Sequence, residues 1–259
     1  MTRNTGSFIQ NRKFILSTLA LAFLLMSSGI FAQDGPPKFD PIGQFSVAFS
    51  TALPKGEFEN NLDNNGFGIN VNGSANLGKS PFALGLELAY LQYGSETRNV
   101  PFSLTIPDVT VDVTTSNNIV QAFALLRAQN PHGVLRPYVD GLVGFNYLYT
   151  ETKIEDEDNI DDDDVVASSK NFDDFAFSYG FGGGVMVKLY EAAPSLGEDG
   201  HYDRPASILL DLRVRYLLGG EAEYLRRGDI ERVNGEVIIS PVQSKTDLLT
   251  FNIGISVAF

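Results

Sequence analysis

Charged residues that share one face of an extended segment are the strongest candidates for chemistry in this sequence. Asp211, Arg213 and Arg215 stand at positions i, i+2 and i+4 within an apolar stretch, and in a strand that spacing places all three on one face. On a strand facing lipid each would cost about 2–4 kcal/mol near the bilayer midplane, so we expect them to face an interior. Four more charges occupy comparable positions: Glu87, Arg127, Asp140 and Lys188.

Seven charges in one interior need partners, because an unpaired buried charge is costly. A narrow interior that its own side chains must fill favours a salt-bridged plug, and a polar path for ions is the alternative. The expected partners are Arg127 with Asp140, Lys188 with Asp211, and Glu87 with Arg213 or Arg215.

An acidic cluster forms a second candidate site, with eight carboxylates in residues 155–164. Oxygen ligands suit Ca²⁺, but the spacing lacks the D-x-[DN]-x-[DN]-G order and distal Glu of a calcium loop. Runs of like charge are typical of solvated loops, so we expect no metal site and no cofactor. The alternative is a weak calcium site at Asp156, Asp158, Asp161 and Asp163.

The sequence gives little indication of cysteine chemistry, nucleic-acid binding or catalysis. The chain has no Cys, which excludes disulfides and thiolate metal sites, and its net charge of -13 argues against nucleic acid as a partner. No Gly-x-Ser-x-Gly, P-loop or His-Glu-x-x-His motif is present. The two histidines are His132 and His201. Residues 227–229 spell Arg-Gly-Asp, a weak adhesion signal.

The N-terminus has the pattern of an export signal. Arg3, Arg12 and Lys13 precede an apolar run from Phe14 to Met26, and Ala32 follows a stretch of small residues. The run is too short for a membrane-spanning helix. We predict a signal peptide over residues 1–32, cleaved near Ala32, followed by a lead-in over residues 33–42.

From Gly43 onward, large apolar residues recur at every second position, which is the strand period. The positions between them hold mostly Gly, Ala, Ser and Asn, a face that suits the crowded inside of a narrow barrel. We predict an all-β fold, a single eight-stranded antiparallel up-and-down transmembrane β-barrel over residues 43–259, with a soluble all-β fold as the alternative. The eight segments lie at 44–53, 67–76, 83–90, 118–128, 139–149, 175–189, 208–216 and 251–259.

The connections alternate in length. Those after segments one, three, five and seven are the longer ones, including gaps at 94–117, 151–174 and 219–247. Long loops on one side and shorter turns on the other are typical of an outer-membrane barrel. Aromatic residues near segment ends fit interfacial belts: Tyr90, Tyr93, Tyr147, Tyr149, Phe175, Tyr179, Tyr190 and Tyr216.

The signal, the eight segments and the last strand together resemble small eight-stranded outer-membrane β-barrel proteins, the outer membrane protein A/X/W-like or porin-like barrel domains. The last strand ends in an aromatic residue with apolar residues at alternate positions before it: Phe251, Ile253, Ile255, Val257 and Phe259. The resemblance implies that the barrel-assembly machinery reads this strand, and that outer-membrane lipid of a Gram-negative bacterium surrounds a monomer.

The resemblance and the residues together predict a non-enzymatic protein with a structural or surface-contact role through long extracellular loops. An unidentified extracellular ligand is compatible with that role. Outer-membrane barrel enzymes place a His near the outer rim, whereas both histidines here fall in predicted periplasmic turns. The alternatives are a narrow channel for ions or small solutes, a loop-mediated adhesin, and a lipid-modifying enzyme.

Overall fold

The computed structural model describes residues 40–62, 64–103, 106–156, 165–192, 206–226, 228–233 and 236–259. The predicted signal peptide and most of the lead-in lie outside these residues. Among them, no helix is long and apolar enough to cross a membrane. The elements in chain order are β1 Gly43–Pro54, α1 Glu57–Asn61, β2 Gly66–Asn76, β3 Phe82–Ser103, β4 Ile106–Gln129, β5 Leu135–Asp156, β6 Val165–Glu191, β7 Ser207–Gly219, β8 Glu221–Tyr224, β9 Ile230–Val233, β10 Glu236–Ile239, β11 Val242–Lys245 and β12 Leu248–Ala258.

Eight of the strands close into a barrel. Each of the strands β1 to β6 pairs antiparallel with the next, β7 pairs with β12, and β12 pairs with β1. Closure leaves no exposed edge within the ring. The predicted all-β, eight-stranded antiparallel barrel is therefore confirmed.

The period-two pattern decides which side chains face outward. On β1, Phe45, Val47 and Phe49 are about half exposed on the outer face, while Ser46 and Ser50 between them are buried in the bore. Because successive side chains in a strand point to opposite faces, the large apolar set forms the outside and the small polar set fills the inside.

Four strands are much longer than predicted. β3 to β6 have 22 to 27 residues each, whereas residues 94–117 and 151–174 were expected to be loops. Cross-strand threonine pairs hold the extension in register, at 3.0 Å between Thr97 and Thr114 and 3.1 Å between Thr115 and Thr152. We call residues 94–103, 106–117, 151–156 and 165–173 the projecting sheet, because β2 and β7 do not accompany it beyond the ring.

Two other long connections fold back over the same end of the barrel. The first contains α1, and the last contains the two-stranded sheets β8–β11 and β9–β10. The Lys55 N–H donates to the Asp247 carbonyl at 2.9 Å, and the Lys245 N–H donates to Glu57 Oε2 at 3.3 Å. We call α1, β8 and β11 together the cap, since these contacts join them into one cover at the barrel mouth.

Candidate functional site

The barrel interior holds a layer of ion pairs, and its first member joins neighbouring strands. Arg127 on β4 is opposite Asp140 on β5. Arg127 Nε lies 2.7 Å from Asp140 Oδ1, and Nη2 lies 2.9 Å from Oδ2. Both side chains are fully buried, so the pair is a bidentate bridge shielded from water.

Arg215 connects this pair to the far side of the bore. Its Nη2 donates to Asp140 Oδ2 at 2.6 Å, and its Nη1 lies 2.5 Å from both carboxylate oxygens of Glu87 on β3. The opposite residue on β6 is Gly182, where a Cβ would collide with the side chain of Arg215. A glycine at that position therefore gives the guanidinium group its path across the bore.

The third arginine completes the layer. Arg213 lies 3.5 Å from Glu87 and 3.3 Å from Asp211, and Asp211 accepts hydrogen bonds from Tyr138 at 2.5 Å and from Ser46 at 3.2 Å. Three arginines thus face three carboxylates, so the layer carries no net charge. We call Glu87, Arg127, Asp140, Asp211, Arg213 and Arg215 the charge layer.

Tyr138 contacts the charge layer, but the sequence analysis did not name it as a candidate. Its ring lies 4.0 Å from the Arg127 guanidinium carbon, a cation–π contact. Its hydroxyl occupies the space where a Cβ at Gly184 would stand. The sequence could have indicated Tyr138 as an inward-facing residue, because it lies two residues before Asp140 and therefore on the same face of the strand.

Lys188 does not join the charge layer, which corrects the expected pairing with Asp211. Its Nζ lies 2.6 Å from Glu191 Oε2, and both side chains are partly exposed. Lys188 lies near the end of β6, and its long flexible stem carries the ammonium to the rim, where water solvates it.

Side chains of the cap and of β3 form an apolar layer in the bore, between the charge layer and the barrel mouth. Phe58 of α1 packs on Tyr93 of β3 and Tyr224 of β8, with ring centroids 5.9 and 5.0 Å apart. We call these three rings the aromatic plug. Tyr93, expected in the interfacial belt, is only 3% exposed inside the barrel, because it stands three residues from Tyr90 and so on the opposite strand face.

The foot of the cap includes a partly buried carboxyl group. Asp247 Oδ1 accepts the Gly219 N–H at 3.0 Å. Burial raises the pKa of Asp247, and the Gly219 hydrogen bond only partly opposes that effect. The bond ties the last connection to the end of β7.

Other predicted aromatic residues do lie on the outer face of β5 and β6. Tyr147 contacts Phe175 at 4.5 Å and Tyr149 at 5.4 Å between ring centroids. Tyr179 and Tyr190 are also exposed. Tyr147 and Tyr149 lie toward the cap and Tyr190 lies near the other end of β6, so the rings suit the two boundaries between lipid and water.

The remaining candidates are spread out. His132 follows β4 and lies 2.8 Å from Asp40, at the end of the barrel opposite the cap, while His201 lies outside the described residues.

Asp229 of the Arg-Gly-Asp tripeptide binds Arg226 at 3.1 Å, and Arg227 of the tripeptide lies outside the described residues. Phe251, Ile253 and Ile255 on β12 and Phe259 directly after it are exposed, and Val257 is partly exposed. Recognition of these residues by the barrel-assembly machinery stays a prediction.

The weak calcium candidates fall outside the part of the chain that can be described. Asp158, Asp161 and Asp163 lie outside the described residues, as does the side chain of Asp156. Within the described part of the chain, no group of three His, Cys, Asp or Glu side chains is arranged to hold a metal ion.

Comparison with known proteins identifies the family. The family model described as "Outer membrane protein beta-barrel domain" matches residues 18–193. No curated protein matches the sequence.

A comparison with solved structures finds three outer-membrane or surface proteins among its matches. The chain is 13% identical to Ail, the attachment invasion locus protein of Yersinia pestis, covering 85% of this chain and 100% of Ail with a TM-score of 0.40. It is 10% identical to Neisserial surface protein A, covering 83% and 94% with a TM-score of 0.35. For a major outer membrane protein from Thermus thermophilus the identity is 12%, the coverage 84% and 99%, and the TM-score 0.30. With two thirds of its residues matched by the family model, the chain belongs to the outer membrane protein β-barrel domain family and is an outer-membrane barrel protein.

Proposed function

We propose that this protein is a non-enzymatic surface-contact protein whose working part is the projecting sheet. The observation that carries the proposal is that four strands continue beyond the ring without β2 and β7. Polar side chains such as Thr97, Thr114, Thr115 and Thr152 occur on both of its faces. A sheet with polar side chains on both faces can stand in water, where it can meet other molecules. A loop-mediated adhesin is a specialised form of the same role.

The biological setting follows the family. We propose that the signal peptide is cleaved near Ala32, that the barrel-assembly machinery inserts the chain through β12, and that the product is a monomer surrounded by outer-membrane lipid. The cap and the projecting sheet then face the outside of the cell. The proposal assigns no catalysis: His132 lies at the barrel end opposite the cap, away from the outer rim where outer-membrane barrel enzymes hold their histidine.

The channel alternative has less support. The aromatic plug and the charge layer occupy the bore at two successive heights, and their side chains are buried. An eight-stranded barrel is only wide enough for its own side chains. We therefore infer that water and ions lack a continuous path past these two layers, which supports the surface-contact role over the channel.

We expect the refolded protein to give no single-channel steps in planar bilayers. A Phe58→Ala variant should also remain silent, because it opens the aromatic plug but leaves the charge layer intact. A voltage-independent conductance in the unaltered protein, absent from bilayers without protein, would contradict the sealed bore and favour the channel.

The surface-contact proposal is tested by shortening the projecting sheet. Ser95 pairs with Ser116, and Glu151 pairs with Lys170, so an Asn-Gly turn can replace residues 96–115 and another can replace residues 152–169. Cells displaying either the full-length or the shortened form are compared for attachment to surfaces coated with a panel of extracellular proteins.

We expect the shortened barrel to fold, as judged by heat-modifiable electrophoretic mobility, and the cells to lose attachment by about tenfold. Equal attachment of both forms to every surface, with equal amounts of folded protein displayed, would overturn the proposal. It would leave a structural role in the membrane as the remaining function.

A further inference from the structure

The outer face of the barrel carries a groove of about 490 Å³ that crosses β1, β12, β7 and β6. One row of paired residues runs along it: Gly183, Val214, Phe251 and Thr51. Gly183 contributes no side chain, whereas Phe181, the previous outward-facing residue on β6, is large and exposed. The surface is therefore recessed at Gly183, and the groove has the volume of a site for a small molecule.

The groove descends from the rim of the barrel into the membrane-facing surface. Thr51 lies three residues from Pro54, where β1 ends at the barrel mouth. Gly183 lies eight residues from Phe175, which is part of the aromatic cluster at the same end of β6. A strand rises about 3.3 Å per residue, so the groove is shallow in the membrane at β1 and deep at β6. An acyl chain of a membrane lipid runs in the same sense, from the boundary with water into the apolar interior.

The outward-facing side chains that line the groove are apolar, with Thr51 as the exception. Phe49, Leu212 and Ile253 are 38–53% exposed. The Thr51 hydroxyl has no hydrogen-bond partner within the described part of the chain. A hydroxyl group surrounded by lipid is costly unless it is hydrogen-bonded. Thr51 therefore favours an occupant with an acceptor at this height, such as the ester carbonyl that joins an acyl chain to a phospholipid.

Charges above the upper end of the groove bear on the headgroup. Lys55 lies four residues beyond Thr51 along the chain. Its Nζ lies 3.0 Å from Glu59 Oε1, and the two side chains are 30% and 57% exposed. One positive and one negative charge complement a headgroup that contains both a phosphate and an ammonium group. An anionic headgroup would meet the Glu59 carboxylate without an ammonium group to balance it.

We propose that this groove binds one acyl chain of a zwitterionic phospholipid, with the ester group at Thr51 and the headgroup at the Lys55–Glu59 pair. The chain belongs to an outer-membrane barrel family, so lipid is the material that meets an apolar outer face. The inference goes beyond the surface-contact function and does not depend on it. A second copy of the chain is the alternative occupant, and the experiment below distinguishes the two.

Two valines provide a matched test. Val214 lies in the groove, whereas Val143 faces outward on β5 and does not line it, and their side chains are 45% and 49% exposed. Val214→Trp fills the groove, and Val143→Trp adds the same side chain elsewhere on the outer face. The refolded protein is transferred from vesicles of equal parts phosphatidylethanolamine and phosphatidylglycerol into detergent. Native mass spectrometry then counts the lipids that each barrel retains.

We expect the unaltered protein and Val143→Trp to retain one phosphatidylethanolamine, and at least about fivefold less phosphatidylglycerol. Val214→Trp should lose the lipid by at least about tenfold, because the indole occupies its place. Thr51→Val, which keeps the shape of the side chain but removes the hydroxyl, should lower retention by about fivefold, the effect of one hydrogen bond.

The proposal is wrong if no lipid is retained, if the two lipids are retained equally, or if Val214→Trp retains as much lipid as Val143→Trp. A dimer that Val214→Trp dissociates would also overturn it, because a second copy would then fill the groove. Heat-modifiable mobility shows whether both Trp variants fold. If Val214→Trp does not fold, Leu212→Trp, which enters the same groove, is compared with Val143→Trp in its place.

Discussion

Replacing Arg215 by Met is expected to lower the free energy of unfolding by about 3–5 kcal/mol, the cost typical of removing one partner from a buried ion pair. Arg215 holds two carboxylates, Glu87 and Asp140, at 2.5–2.6 Å in the bore. Its loss leaves Glu87 with the weaker contact to Arg213 at 3.5 Å. The measurement is reversible urea unfolding in lipid vesicles. The urea dependence of the unfolding free energy is compared between the variant and the unaltered protein, because a difference in it would reveal a change in the unfolded state.

The matched control is Arg226→Met. Arg226 also pairs with an aspartate, Asp229, at 3.1 Å, but its side chain is 40% exposed. An exposed pair contributes about 0–1 kcal/mol, so this variant should unfold almost like the unaltered protein. A double variant, Arg215→Met with Glu87→Met, should lose less than Arg215→Met alone, because it removes the unpaired carboxylate. If Arg215→Met and Arg226→Met lower the free energy of unfolding equally, the charge layer is not shielded from water as the structure indicates.

Replacing Gly144 by Val is expected to prevent formation of the native barrel or to destabilise it by at least about 3 kcal/mol. This is the upper end of the cost that is usual for adding side-chain atoms to a well-packed core. Gly144 faces the bore on β5, and a Cβ there would overlap the carbonyl oxygen of Ala122 and lie 2.8 Å from the Cα of Phe123. Those atoms are backbone of the neighbouring strand, so they cannot move aside as a side chain could. Folding yield into vesicles and heat-modifiable mobility measure the effect.

Gly141 on the same strand provides the control. It faces outward, and a Cβ there would have no heavy atom within 4 Å. Gly141→Val adds an apolar group to the lipid-facing surface and should fold in normal yield. If Gly144→Val folds and unfolds like Gly141→Val, the two strands are not packed as closely as the structure indicates.

Much of the barrel could be predicted from local pattern. Alternation of large and small residues determined the eight strands and the face of each side chain, because side-chain direction in a strand depends only on position parity. The Arg127–Asp140 pair followed from the same rule, since the two residues lie at matching heights on successive strands.

The projecting sheet could not be predicted in this way. Residues 94–99 and 114–117 contain only glycine and polar residues, so the alternation that marks a membrane strand is missing there. Cross-strand pairing, a non-local property, makes these residues strands.

Contacts across the bore were decided by the closed structure alone. Arg215 reaches Glu87 on a strand 128 residues earlier, and Phe58 meets Tyr93 and Tyr224 from two distant connections. Lys188, with the same apparent signal as Arg215, pairs at the rim instead. Sequence alone determined which residues face inward, because side chains alternate between the two faces along each strand. The tertiary structure decided which of these residues meet, because the stagger and tilt of the strands are properties of the closed ring.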